Sequence, residues 1–116
     1  MKTSISYRQV ASSQRLESAM ERHLRKIRKL LKSYAPDLIQ LHGSFEKHLR
    51  RIEYRFSVNL SLPTGTLHAT GAGRGAIASA RVGFAELEAQ IKKHQARLRK
   101  DYEWKRKSGR LERALA

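Results

Sequence analysis

The sequence predicts an α+β domain in the order β-α-β-β-β-α, with two helices packed on one face of a four-stranded sheet. Two long segments have apolar residues at helical spacing, and several others alternate between apolar and polar residues as half-buried strands do. The 116 residues, 40% of them hydrophobic, suit one domain with one core. A layer of two helices on a layer of sheet buries the apolar side of each helix against the apolar face of the sheet. We expect the domain over residues 1–100 and a basic, flexible tail over 101–116.

Both helices are predicted from apolar residues that recur every three or four positions. The first follows the candidate N-caps Ser12 and Ser13 and should end near Ser33–Tyr34, because Pro36 cannot continue it. Its apolar stripe consists of Leu16, Met20, Leu24, Ile27, Leu31 and Tyr34. The stripe of the second helix consists of Ile77, Ala80, Phe84, Leu87, Ile91 and Leu98. From Asp101 onward no apolar period is sustained, which predicts the flexible tail.

The strands are predicted from alternating segments and from the turns between them. The clearest covers residues 51–62, where six apolar residues starting at Ile52 alternate with polar ones. Residues 2–8 predict the first strand and 38–46 the second, in which Gly43 favours a bulge. The last strand follows a turn at residues 63–65. We expect three glycines to break it: Gly71, Gly73 and Gly75.

The charge of the chain is large and unevenly distributed. It contains 25 Lys and Arg against 10 Asp and Glu, a formal net charge of +15. Residues 1–34 have 9 basic and 2 acidic side chains, residues 74–116 have 12 and 5, and the strand-rich centre has 4 and 3. Such a chain is expected to bind a polyanion through its two helical segments.

Six cations of the first helix lie opposite its apolar stripe at 100° per residue: Arg15, Arg22, Arg25, Lys26, Lys29 and Lys32. Like charges at this spacing destabilise a helix, so a phosphate-bearing partner is favoured over a merely solvated face. On the second helix, Lys93, Arg97 and Lys100 lie opposite the stripe, whereas Arg81, Lys92 and Arg99 flank it. Arg74 precedes that helix, where an anion can meet the helix N-terminus. The candidate residues for binding this polyanion are therefore Arg22, Arg25, Lys26, Lys29, Lys32, Arg74, Lys92, Lys93, Arg97 and Lys100.

Other classes of function have little support. The absence of cysteine excludes disulfides, thiolate metal sites and cysteine nucleophiles, and the five histidines lack metal-ligand spacing. The glycines at 71–75 match neither the Gly-x-Gly-x-x-Gly motif of dinucleotide-binding proteins nor the Gly-Lys-Ser/Thr ending of a phosphate-binding P-loop. We therefore expect no enzyme, metal, cofactor or small-molecule substrate, although a basic ribonuclease toxin stays an alternative. No apolar run is long enough to cross a bilayer and residues 1–8 lack a signal peptide, so we expect a cytoplasmic protein.

Three segments resemble the short form of the ribosome hibernation-promoting factor family, also called ribosome-associated inhibitors. Leu87–Lys93 is similar to the family's Leu-Glu-x-Gln-Leu-x-Lys motif, and Gly65–Ala69 is similar to its Gly-x-Leu-x-Ala hairpin strand. The first helix follows the family pattern at Leu16, Met20, Leu24, Lys26, Ile27 and Lys29. The resemblance covers residues 2–100.

This resemblance implies a function. In that family the basic helix residues bind small-subunit ribosomal RNA in the cleft where mRNA and tRNA lie, which blocks translation and preserves idle ribosomes. The implied contacts are Lys26, Lys29, Lys93 and Arg97. The implied partners are the small ribosomal subunit and its rRNA, and the chain is expected to be a monomer off the ribosome, since the long form's dimerisation domain is absent. The sequence departs from the family at three places. His23 stands where the family usually has a permanent cation, and Glu86 stands where it often has Lys. The tail is basic, whereas some short members of the family have an acidic tail.

The alternative is a general double-stranded RNA-binding module, whose α-β-β-β-α core has a similar order. That module has lysine pairs at the start of its second helix, whereas residues 76–79 of this chain are Ala-Ile-Ala-Ser. Binding to an anionic membrane surface is less favoured, because both apolar stripes are needed for the core.

Overall fold

The computed structural model describes residues 1–8, 10–48, 50 and 52–115, with side chains as far as Lys100. The elements are, in chain order, β1 (Lys2–Arg8), α1 (Gln14–Leu30), β2 (Gln40–Lys47), β3 (Tyr54–Leu62), β4 (Gly65–Gly73) and α2 (Ala76–Leu115). A short 3₁₀ turn at Pro36–Leu38 leads into β2. The predicted β-α-β-β-β-α fold is confirmed.

The four strands form one mixed sheet in the order β1-β2-β3-β4. Strands β1 and β2 are parallel, with α1 as their crossover, and the other pairs are antiparallel. The bulge expected at Gly43 was wrong, because the pairing continues unbroken from Ile5 through Gly43 to Val58. A Cβ at Gly43 would lie 3.0 Å from the Phe56 ring and from Ile5, so a larger residue there would push these two side chains aside by a few tenths of an ångström.

The apolar face of the sheet and the buried sides of both helices form one core. A column of neighbouring aromatic rings, some stacked and some tilted, crosses it from β1 to α1. The ring centroids are 5.5 Å apart for Tyr7 and Phe45, 4.6 Å for Phe45 and Phe56, 5.1 Å for Phe56 and Phe84, and 4.8 Å for Phe84 and His23. The three phenylalanines have no exposed surface. The column therefore links all but one of the strands to both helices.

The helix and strand limits differ from the prediction at two places. Helix α1 is capped by the Ser13 hydroxyl, which accepts a hydrogen bond from the Leu16 amide at 3.2 Å, but it ends at Leu30, earlier than expected. Ile52 lies outside β3 and is 80% exposed, so its assignment to the strand was wrong. A hydrogen bond from the His48 amide to the Glu53 carbonyl closes the connection between β2 and β3, and Ile52 lies within that turn.

The glycines of the last strand bring the sheet close to a helix and do not break β4, which continues through Gly73. A Cβ at Gly71 would overlap the backbone nitrogen of Gly83 in α2. The prediction of a break was therefore wrong, since the glycines allow α2 to contact the strand backbone. The backbone of α2 then continues as helix to Leu115, beyond Leu98, which is already exposed. Side chains 101–116 lie outside the described residues, so the flexibility of the tail stays a prediction.

Candidate nucleic-acid interface

Helices α1 and α2 lie side by side and run in the same direction. Arg22 in the middle of α1 and Arg81 in the second turn of α2 line one cavity. Further along, the side-chain amide of Gln95 in α2 donates a 2.9 Å hydrogen bond to the carbonyl oxygen of Leu30 at the end of α1. The cations of both helices therefore flank a common groove on the outer side of the helical layer.

The cavity in this groove has a volume of about 170 Å³ and is lined by Ala19, Arg22, His23, Lys26, Ile77 and Arg81. Three of these residues are permanent cations with exposed side chains, namely Arg22, Lys26 and Arg81. The fourth polar group, His23, is half-buried, and its ring is stacked on Phe84 with 8° between the ring planes. The cavity thus has the shape and charge to hold an anionic group.

The environment of His23 favours its neutral form. Burial lowers the pKa of His23 below its ordinary value, and the nearby Lys26 ammonium lowers that pKa further. Glu88 of α2 acts in the opposite direction, whereas Arg22 and Arg81 add to the lowering. The ring is therefore mostly uncharged at neutral pH.

Most of the cations on α1 face solvent without an acidic neighbour. Within the part of the chain that the structure describes, the one ion pair joins Arg28 to Glu21 at 3.4 Å, with both side chains about half exposed. An exposed pair of this kind contributes little stability. Arg22, Lys26 and Lys29 are thus available to an external anion.

One side of α2 faces α1. Residues 81, 88, 92, 95 and 99 follow each other at helical steps of seven, four, three and four, so they share a side. Arg81 and Gln95 fix its direction, because one lines the cavity and the other bonds to α1. Lys92 therefore borders the groove, whereas Lys93, Arg97 and Lys100 lie on the outer surface of α2.

The structure divides the residues predicted on α1 in a similar way. Arg22 and Lys26 border the groove, and Lys29 lies on the outer surface. Arg25 shares a side with Glu21 and Arg28, away from α2. Lys32 follows the end of the helix on that same flank.

Arg74 lies apart from the groove. It lines a cavity of about 490 Å³ near the first turns of both helices, together with Lys47 and Tyr54. The ammonium nitrogen of Lys47 is 5.7 Å from the centre of the Tyr54 ring. The sequence did not indicate Lys47, because its strand position gave no hint that it would meet Arg74.

Arg81 and Arg99 are the groove cations that the candidate residues omitted. Their signal was present, since both flank the apolar stripe of α2. The sequence does not show which side of α2 lies against α1, so it could not assign these two residues to the groove.

The open face of the sheet contrasts with the helical layer. Its outward positions are mostly Ser, Thr, Asn, Gln and His, with four charged residues: Lys2, Arg8, Glu46 and Arg55. Residues 14–32 and 76–100 of the helical layer contain 13 Lys and Arg against 4 Glu. Among the residues whose side chains the structure describes, most of the positive charge therefore lies on the helical layer.

Two further properties bear on the kind of site. Among the described residues, no group of three or more His, Asp or Glu side chains is placed to hold a metal ion. No helix in the same part of the chain is both long and apolar enough to cross a membrane.

Known proteins share this fold and sequence pattern. Residues 3–99 match the family model described as Sigma 54 modulation protein / S30EA ribosomal protein. A ribosomal subunit interface protein from Coxiella burnetii has 23% identity and a TM-score of 0.61, over 83% of this chain and 99% of that one. The Protein Y N-terminal domain of Thermus thermophilus has 15% identity and a TM-score of 0.65, over 80% and 98%. No curated protein sequence matches the chain. Because the family model spans most of its length, this protein belongs to the Sigma 54 modulation protein / S30EA ribosomal protein family, the ribosome-associated family that its helix and hairpin motifs resemble.

Proposed function

We propose that this protein is a ribosome hibernation factor that binds small-subunit rRNA in the cleft for mRNA and tRNA and thereby inhibits translation. The observation that carries the proposal is the groove between two parallel helices, with cations of both helices along it and a sheet face with only three cations and one carboxylate on the other side. Family membership supports it, as does the printed description of the Coxiella burnetii neighbour as a ribosomal subunit interface protein.

The mechanism is occupancy without chemistry. Lysine and arginine side chains replace the counterions of RNA phosphates, and the released ions drive binding. A protein held in this way excludes the ligands that would use the same cleft. The proposal includes no catalysis, cofactor or small-molecule substrate, and it places the protein in the cytoplasm with the ribosomes it binds.

The groups expected to contact phosphates are those that border the groove or lie on the adjoining outer surface. They are Arg22, Lys26, Lys29, Arg81, Lys92, Lys93, Arg97, Arg99 and Lys100. Arg25 and Lys32, on the far flank of α1, are expected to contribute less. Arg74 and Lys47 form a separate cationic site at the end of the sheet.

The test compares two variants of similar net charge that lack cations on opposite sides of the protein, the helical layer in one and the open sheet face in the other. A variant with Lys26, Lys29, Lys93 and Arg97 all replaced by Ala should fold normally, because these exposed side chains lie away from the core. It should fail to inhibit translation in a cell-free extract and should not sediment with small subunits. The parent protein should inhibit translation and sediment with the subunits.

The matched control removes cations from the open sheet face. A variant with Lys2, Arg8 and Arg55 replaced by Ala should keep most of the inhibition. Equal losses in both variants would mean diffuse attraction to RNA, and the double-stranded RNA-binding alternative would replace the cleft mechanism.

A further inference from the structure

His23 occupies a position in the groove that a permanent cation could also fill. Its ring stacks on Phe84 at one end of the aromatic column, which fixes the ring plane. Among the described residues, no group hydrogen-bonds to either ring nitrogen of His23. The ring edge is thus available at the cavity that Arg22, Lys26 and Arg81 surround.

An anion in that cavity would reverse the electrostatics of His23. In the free protein, burial and three neighbouring cations oppose protonation, and the single opposing charge is Glu88 of α2. A phosphate group among the same cations cancels their repulsion and accepts a hydrogen bond from a protonated ring. The groups that keep the ring neutral in the free protein are therefore the ones that bring the phosphate to it.

We propose that the cavity between α1 and α2 binds one phosphate group of an RNA backbone together with one proton, which a ring nitrogen of His23 takes up from solvent. The inference rests on the proposed function, because the phosphate belongs to the RNA that the groove binds. Binding and protonation are then linked, so each favours the other by the same factor. The consequence is an affinity for RNA that increases as the pH falls.

The experiment measures the affinity of the full chain for small ribosomal subunits and for a short single-stranded RNA at pH 7.5 and pH 6.0, at constant ionic strength. Uptake of one proton changes affinity by at most about tenfold per pH unit, and we expect the parent protein to bind about three- to tenfold more tightly at pH 6.0. His23→Phe keeps an aromatic ring against Phe84 but cannot be protonated, so its affinity should not change with pH. The matched control is His68→Gln on the open sheet face, which should keep the parent's response.

The outcomes separate this inference from the proposed function. Binding to subunits that does not respond to pH, or a response that His23→Phe retains in full, would overturn the role of His23 and leave the hibernation function intact. Failure to bind subunits at any pH would overturn the proposed function, and the RNA arm would then still decide on His23. An NMR titration of the His23 ring in the parent protein needs no variant. Its pKa should rise when RNA is added, and an unchanged pKa would refute the inference.

Discussion

Replacing Gly71 by Ala tests the close contact between β4 and α2. The new Cβ would overlap the Gly83 nitrogen and the Ser79 carbonyl oxygen and lie 2.9 Å from the Gly83 Cα. Carbon atoms pack at about 3.5–4.0 Å, so α2 would have to move away by roughly 1 Å. Both opposing groups are backbone, which no rotamer change can relieve. We expect a loss of about 3 kcal/mol in the free energy of unfolding, the upper part of the range for overpacked sites.

Urea denaturation followed by circular dichroism measures this loss. At an unfolding entropy of about 2.1 cal/mol/K per residue, 3 kcal/mol corresponds to a fall in Tm of roughly 12–15 °C. Gly75→Ala is the control, since nothing lies within 4 Å of its Cβ and its φ is not in the left-handed region. That variant should stay within about 1 kcal/mol of the parent, because the lower freedom of the unfolded chain is offset by the loss of glycine at the N-cap of α2. Equal stability of the two variants would refute the argument that the glycine is required by helix packing.

Four further outcomes are expected. Phe56→Ala should lower the free energy of unfolding by about 3–5 kcal/mol, whereas Arg55→Ala on the open face should change it by less than about 0.5 kcal/mol, and equal effects in denaturant melts would contradict the assignment of faces. Ser13→Ala should cost about 1 kcal/mol, because the amide of Leu16 loses its cap; an unchanged melt would mean that the cap contributes nothing. Raising salt from 50 to 200 mM should weaken RNA binding by roughly 10³ if about six phosphates are contacted, so an affinity indifferent to salt would exclude phosphate-dominated binding. Since the folded-state pKa of His23 is lowered, its contribution to stability is present above pH 6.5 and is lost as the pH falls below it, so the parent should lose more stability than His23→Phe in melts at decreasing pH.

Much of the fold could be predicted because its signals are local. The pleat of a strand alternates residues between faces, so Phe56, Val58 and Leu60 were assigned to the core correctly. Ile52 was misassigned because the alternation continues into a turn. The strand begins at Tyr54, which pairs with Lys47, and the hydrogen bond from His48 to Glu53 closes the turn before it.

The features that depend on distant partners were not predictable. A glycine in a strand can mark a break or a close approach, and Gly71 could be understood only once Gly83 was placed opposite it. The same holds for the groove, since the offset between the helices brings Arg81 beside Arg22. The RNA-binding role of the candidate residues stays a prediction, although the structure now separates those at the groove from Arg25, Lys32 and Arg74.

The one-sided charge also affects how fast a complex forms. A molecule with its cations on the helical layer has a strong electrical asymmetry, and an approaching polyanion turns that layer towards itself before contact. Many collisions that begin in the wrong orientation can then become productive, which raises the association rate at low ionic strength. Two copies of the protein repel each other through the same layer. The charge distribution thus speeds the encounter with an anionic partner while it keeps the helical faces of free molecules apart.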